Sequence, residues 1–206
     1  MVARKVNRPG TVFLSYHRGA NDVARFVSEV LEPMLRDRLP HHGVMSPLAV
    51  FRDERTLQPG EDWPDELRAA LRAADVMVAV LSPGYFDRPW CLAEYFTMYE
   101  RQLRLGVPCL EPLRFSDGDF FPDEARRLGW TDLDPGAADP AKPRHVYLRK
   151  PSRATRDFWD LVDGLCQRIA ARASDEPPHD PGWRFVIPEA APEAFLGTPT
   201  YAARGA

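Results

Sequence analysis

The sequence predicts an α/β fold, a five-stranded parallel sheet with helices on both faces, and three observations carry that expectation. The run Val76-Met77-Val78-Ala79-Val80-Leu81 is apolar throughout and holds three β-branched valines, the composition of a strand buried on both sides of a parallel sheet. Strand-like runs alternate along the chain with segments of helical periodicity, the pattern of β-α units. Right-handed crossovers then leave few topologies, of which the flavodoxin-like order 2-1-3-4-5 sets the carboxyl ends of strands one and three side by side.

Val12-Phe13-Leu14-Ser15-Tyr16 opens the sheet, and the polar cluster His17 to Asp22 is the loop at its carboxyl end. Asn21 or Asp22 caps a helix whose apolar positions are Val23, Phe26, Val27, Val30, Leu31, Met34 and Leu35, with Pro33 expected to kink it or end its regular part. Leu48 to Phe51 is the second strand. The polar, turn-rich stretch from Asp53 to Asp62 follows, with Pro59-Gly60 at a turn, and Asp62 caps a helix striped by Trp63, Leu67, Ala70, Leu71 and Ala74.

After the central strand, Ser82-Pro83-Gly84-Tyr85 reads as a turn and Pro89 as a helix start. Leu92, Phe96, Tyr99 and Leu103 would form the inward stripe of that helix. Trp90 and Glu94, four apart, share a face just beyond the strand end, where open α/β sheets place ligands. Val107 to Leu113, with two prolines, predicts a short strand or one near an edge. Residues 115–144 read as a loop-rich insertion in which only Asp123 to Leu128 suits a helix, and His145 to Leu148 as the fifth strand. Phe158, Leu161, Val162, Leu165, Cys166, Ile169 and Ala170 make the closing amphipathic helix. The expected division is an extension over 1–10, a domain over 11–173, and a Pro-rich tail or linker over 174–206 from which Trp183, Phe185 and Ile187 can pack back.

Composition narrows the function. The 206 residues carry 27 basic and 30 acidic side chains, net charge −3, without the basic surplus that neutralises a nucleic-acid backbone. The 3 cysteines lack metal-ligand spacing, which argues against zinc and suits a reducing compartment. No apolar run approaches membrane-spanning length and the first ten residues lack a signal-peptide core, so the expected location is cytoplasmic.

Four segments in this order, Phe13-Leu14-Ser15-Tyr16, Arg52-Asp53 with Pro59-Gly60, Trp90-Cys91-Leu92-Ala93-Glu94, and Phe158-Trp159, resemble a Toll/interleukin receptor (TIR) domain over roughly 11–172. The resemblance is to the bacterial, NAD-cleaving type. It implies that Glu94 is catalytic, that Trp90, Tyr16, Arg18 and Ser15 line the substrate cleft, and that the loop with Asp53, Pro59, Gly60, Glu61, Asp62 and Trp63 mediates self-assembly. It further implies an NAD+ glycohydrolase giving ADP-ribose or a cyclic variant, with NAD+ as substrate, no other cofactor, and a regulatory domain or partner protein. His17-Arg18 departs from the paired arginines common in the family, and the 115–144 segment is longer than usual.

Other readings compete. A TIR adaptor would signal through homotypic contacts alone, and a phosphate receiver would need an acidic cluster where this chain has Ser15-Tyr16-His17-Arg18. A nucleoside ribosyl-transferring enzyme of similar fold is the third. Taken singly, Glu94 reads as a solvated first-turn acid that the helix dipole keeps ionised, Trp90 as a core plug, His17 as a solvated loop histidine and Cys91 as a small buried hydrophobe.

Overall fold

A computed structural model describes residues 11–18, 21–42, 49–51, 65–115, 121, 125–126, 129–133, 153–173 and 180–186. β1 (Thr11–Tyr16), β2 (Ala49–Phe51), β3 (Val76–Leu81), β4 (Leu110–Arg114) and β5 (Thr131–Asp132) form one sheet in the order β2-β1-β3-β4-β5, every pair parallel. β3 is central and all six of its side chains are buried, because each face of the sheet carries its own core. Val12, Leu14, Tyr16, Val76, Val78 and Val80 point to one face, while Phe13, Met77, Ala79 and Leu81 point to the other.

The first face is covered by α1 (Asp22–Phe26), α2 (Glu32–Arg38) and the closing helix α6 (Arg153–Ala173). Asn21 caps α1 by accepting from the Ala24 N–H at 2.9 Å. As expected at Pro33, the regular α-helix is interrupted, and Pro33 lies in the first turn of α2, where the helix resumes. Val27–Leu31 between α1 and α2 is π-helical, with the Glu32 N–H reaching back to the Val27 carbonyl, and the wider turn carries the chain past the proline. In α6 the expected stripe is buried at Phe158, Val162, Leu165, Cys166 and Ile169.

The second face takes α3 (Asp65–Ala73), the short α4 (Pro83–Phe86) and α5 (Pro89–Leu105). Ser82-Pro83-Gly84-Tyr85, expected as a turn, is thus largely helical, with Pro83 supplying the φ of its first position. The first half of α5 is buried nearly all round, from Cys91 to Met98, whereas Leu103, expected on its inner stripe, is 63% exposed. The helix ends at Gly106, whose φ of 65° closes it with a left-handed cap.

The far edge differs from expectation. β5 is Thr131–Asp132, inside the stretch read as a loop-like insertion; His145 to Leu148 lies outside the described residues. The Phe115 N–H donates to the Leu81 carbonyl at 2.8 Å, so the alternation of a parallel ladder turns positions 111 and 113 toward β3 and position 112 toward β5. Pro112 therefore lacks its donor on the side where pairing begins only at Leu113.

Residues 180–186 return to the body as a strap over α3 and α5. The Val186 N–H donates to Thr97 Oγ1 at 2.9 Å, Arg68 stacks on Phe185 and Arg72 on Trp183, and Arg104 pairs with Asp180 at 2.9 Å. Arg101 of α5 is buried and donates to the carbonyls of Ala74 at 2.8 Å and Arg72 at 3.3 Å, capping the end of α3. Arg101→Met keeps the aliphatic stem and removes every donor. The buried Ala74 carbonyl and the part-buried Arg72 carbonyl would lose this partner, so the urea midpoint should fall by the equivalent of about 1 to 2 kcal/mol with an unchanged denaturant slope.

Candidate active site

The carboxyl ends of β1 and β3 lie side by side, with Ser15 opposite Ala79 and Tyr16 opposite Val80. Pleating turns Ser15 toward the face covered by α4 and α5 and turns Tyr16 the other way. This alternation decides which of the expected residues meet. Glu94, in the second turn of α5, is 1% exposed: Ser15 Oγ donates to its Oε2, and Arg18 Nη2 donates to its Oε1 at 3.3 Å. Ser15 Oγ also lies 2.7 Å from the Tyr85 hydroxyl, and both side chains are fully buried.

Glu94 is therefore not the solvated first-turn acid of the local reading. It also lies beyond the first turn, within which the helix dipole is concentrated, so its donors are side chains from β1 and the following loop. A carboxylate removed from water needs such partners, since its desolvation is otherwise uncompensated. Arg18, its side chain 22% exposed, is the one charged group of this set that reaches solvent.

Trp90 is partly buried one turn before Glu94 and packs against the core under α3 and α5. The ring of Tyr16, expected in the cleft, belongs to the opposite core; its backbone carbonyl takes the Cys91 thiol at 3.6 Å. Ser15, also expected against substrate, is enclosed between Glu94 and Tyr85. Burial pushes the Cys91 thiol far up and the nearby Glu94 charge adds to it, so Cys91 is a small core residue and no nucleophile. Asp53, Pro59, Gly60, Glu61, Asp62 and Trp63 lie outside the described residues. No group of three metal-ligating side chains occurs among the described residues, and no described helix is long and apolar enough to cross a membrane.

Tyr85 is the residue that reading the sequence missed. Ser-Pro after an apolar strand is a helix-start signal that places it inside a turn of helix, but its partner Ser15 is 70 residues away and leaves no local trace. Burial pushes its phenol well above the usual range, with Cys91 and Glu94 adding to the shift, so it keeps its proton.

His17 packs on Gly84, where an added Cβ would stand 2.4 Å from its Nδ1, and it accepts from Arg88 Nε at 3.1 Å. Accepting at Nε2 requires the neutral ring protonated at Nδ1. Burial first and the Arg88 charge second hold its pKa below the ordinary 6.5, against an opposing pull from Asp87. The unfolded chain then binds more protons between that value and the lower native one, so this contribution is complete above 6.5 and is lost as pH falls through the window. Stability measured across that window should depend less on pH in His17→Gln than in the parent, and the His17 NMR signals should titrate below the ordinary histidine range.

A sequence profile described as TIR domain matches residues 12–146. A protein of Brachypodium distachyon named a probable 2′ cyclic ADP-D-ribose synthase, BdTIR, is 31% identical over 106 residues. That match spans 52% of this chain and 42% of the relative's own length. Among solved structures, the TIR domains of the activated Roq1 resistosome directly recognizing the pathogen effector XopQ align at 19% identity and a TM-score of 0.40, covering 79% of this chain and 84% of that one.

Proposed function

This chain belongs to the TIR domain family, and on that premise we propose that it cleaves NAD+ between nicotinamide and ribose, with Glu94 as the catalytic carboxylate. The observation that carries the reading is a buried carboxylate at the carboxyl ends of two adjacent central strands, held by a hydroxyl and a guanidinium. The name of the Brachypodium distachyon relative supports the same chemistry.

One carboxylate suffices for this reaction. The glycosidic C–N bond breaks with its electron pair passing to the ring nitrogen, which turns the cationic pyridinium into neutral nicotinamide, so the leaving group needs no proton. Positive charge grows on the ribose, and a carboxylate placed against it stabilises the oxocarbenium-like transition state. An oxygen nucleophile then bonds to the anomeric carbon and gives up a proton. Water yields linear ADP-ribose and a hydroxyl of the same molecule yields a cyclic variant. NAD+ is the substrate, and no cofactor enters.

Arg18 is the movable member of the site. Ser15 is fixed in a strand and Tyr85 in the core, whereas Arg18 is partly solvated and can turn from Glu94 Oε1 to a phosphate or ribose hydroxyl of NAD+. Trp90, one helical turn from Glu94, offers an aromatic face for the cationic ring. We assign activation to self-association through TIR domains, using the loop with Asp53, Pro59, Gly60, Glu61, Asp62 and Trp63. In that reading the protein is a cytoplasmic defence or effector component whose assembly a regulatory domain or partner protein controls, and residues 11–173 with the 180–186 strap are its working unit.

Glu94→Gln keeps size and hydrogen bonding and deletes the charge. It should remain folded and lose NAD+ cleavage by about a hundredfold or more, and a rate near the parent's would overturn the assignment. The parent's activity per molecule should rise with protein concentration when followed by nicotinamide release. NAD+ left intact at every concentration would instead favour the adaptor reading.

A further inference from the structure

We propose that Tyr85 and Ser15 form a buried hydrogen-bond relay that positions the Glu94 carboxylate, Tyr85 donating to Ser15 and Ser15 donating to Glu94 Oε2. As a statement about NAD+ cleavage this rests on the function proposed above; as a statement about Glu94 it does not. The order follows from proton counting. A serine hydroxyl has one hydrogen, so Ser15, having given it to Glu94, can only accept across the 2.7 Å to Tyr85. The reverse order would leave an ionised carboxylate oxygen facing a hydroxyl lone pair. Burial keeps the Tyr85 phenol protonated, as the donor role requires.

The relay is rigid at its outer end. The Tyr85 ring stands edge-on to Phe86, with centroids 5.5 Å apart, and edge-on to Tyr95 at 6.3 Å. Ser15 is fixed by the β1–β3 pairing opposite Ala79. Neither side chain has solvent exposure, so both act through Glu94 and neither touches substrate. Their effect is to commit one carboxylate oxygen. Oε2 is held from beneath by Ser15, while Oε1 is the oxygen that Arg18 holds. Cooperative polarisation along the chain strengthens the Ser15 bond and favours the ionised acid. Tyr85 and Ser15 are thus positioning residues that set both the orientation and the charge of the catalytic group.

The test compares the full chain with Ser15→Ala and the near-isosteric Tyr85→Phe, by carbon-13 NMR titration of the Glu94 side-chain carboxyl and by the pH profile of NAD+ cleavage. The relay predicts that Glu94 takes up its proton at higher pH in Ser15→Ala and, by a smaller step, in Tyr85→Phe. The acid limb of kcat should move with it. At neutral pH kcat should fall about tenfold or more in the first and about threefold in the second, with KM changed by less than about twofold. A merely structural role would lower the melting temperature and leave the Glu94 titration where it was, and that result overturns the proposal. If Ser15→Ala does not fold, Tyr85→Phe decides alone. If the parent fails to cleave NAD+, the functional reading is lost while the NMR titration still decides the relay.

Discussion

Burying one carboxylate is the constraint around which this structure is arranged. Glu94 is almost wholly removed from water between β1 and α5, and an uncompensated charge in that position would cost several kcal/mol. Two places in the chain contribute to its compensation. The Ser15 hydroxyl reaches it from the sheet and the Arg18 guanidinium from the loop beyond, so the placement of α5 against the end of β1 and the charge state of the site depend on each other. Pleating supplies the geometry: a shift of one residue in the β1–β3 register would turn Ser15 into the opposite core and bring Tyr16 under the helix.

Because that geometry is tight, α5 is held along its length. Arg101 ties it to the end of α3, Gln102 Oε1 accepts from the N–H groups of Cys109 at 3.1 Å and Leu110 at 3.3 Å, and Thr97 takes the Val186 N–H of the strap. Thr97 lies three positions beyond Glu94, so the strap anchors the stretch of helix that carries the site. The sheet is tied at its other end as well. Asp75 Oδ2 accepts from the Thr11 N–H at 2.7 Å while the Asp75 N–H donates to the Thr11 carbonyl at 2.9 Å, fixing the start of β1 against β3. Functional side chains carried on elements fastened at both ends keep their mutual distances better than side chains carried on loops.

Local patterns made much of this readable. The unbroken apolar run at Val76 to Leu81 announced a strand covered on both faces, and the stripe from Phe158 to Ile169 announced the closing helix, because burial geometry repeats at periods of two and 3.6 residues. Where the reading went astray, a longer-range effect prevailed. Thr131–Asp132 is too short to show strand periodicity and is a strand only because β4 offers a free edge. Leu103 kept the phase of the stripe, yet it faces solvent.

The site divides along the same line. By itself the sequence determined that Trp90 and Glu94 fall on one helix face beyond the central strand, and that Ser15 to Arg18 come to the neighbouring strand end, since both follow from helical spacing and right-handed β-α connectivity. Only the tertiary structure decided that Glu94 is buried, that Ser15 faces it while the Tyr16 ring does not, and that Tyr85 stands behind Ser15. The physical reason is one of range: helical spacing is encoded within a few residues, whereas the Ser15 pairs with Tyr85 and Glu94 join positions 70 and 79 apart and exist only when helix packing, strand register and side-chain burial are satisfied together.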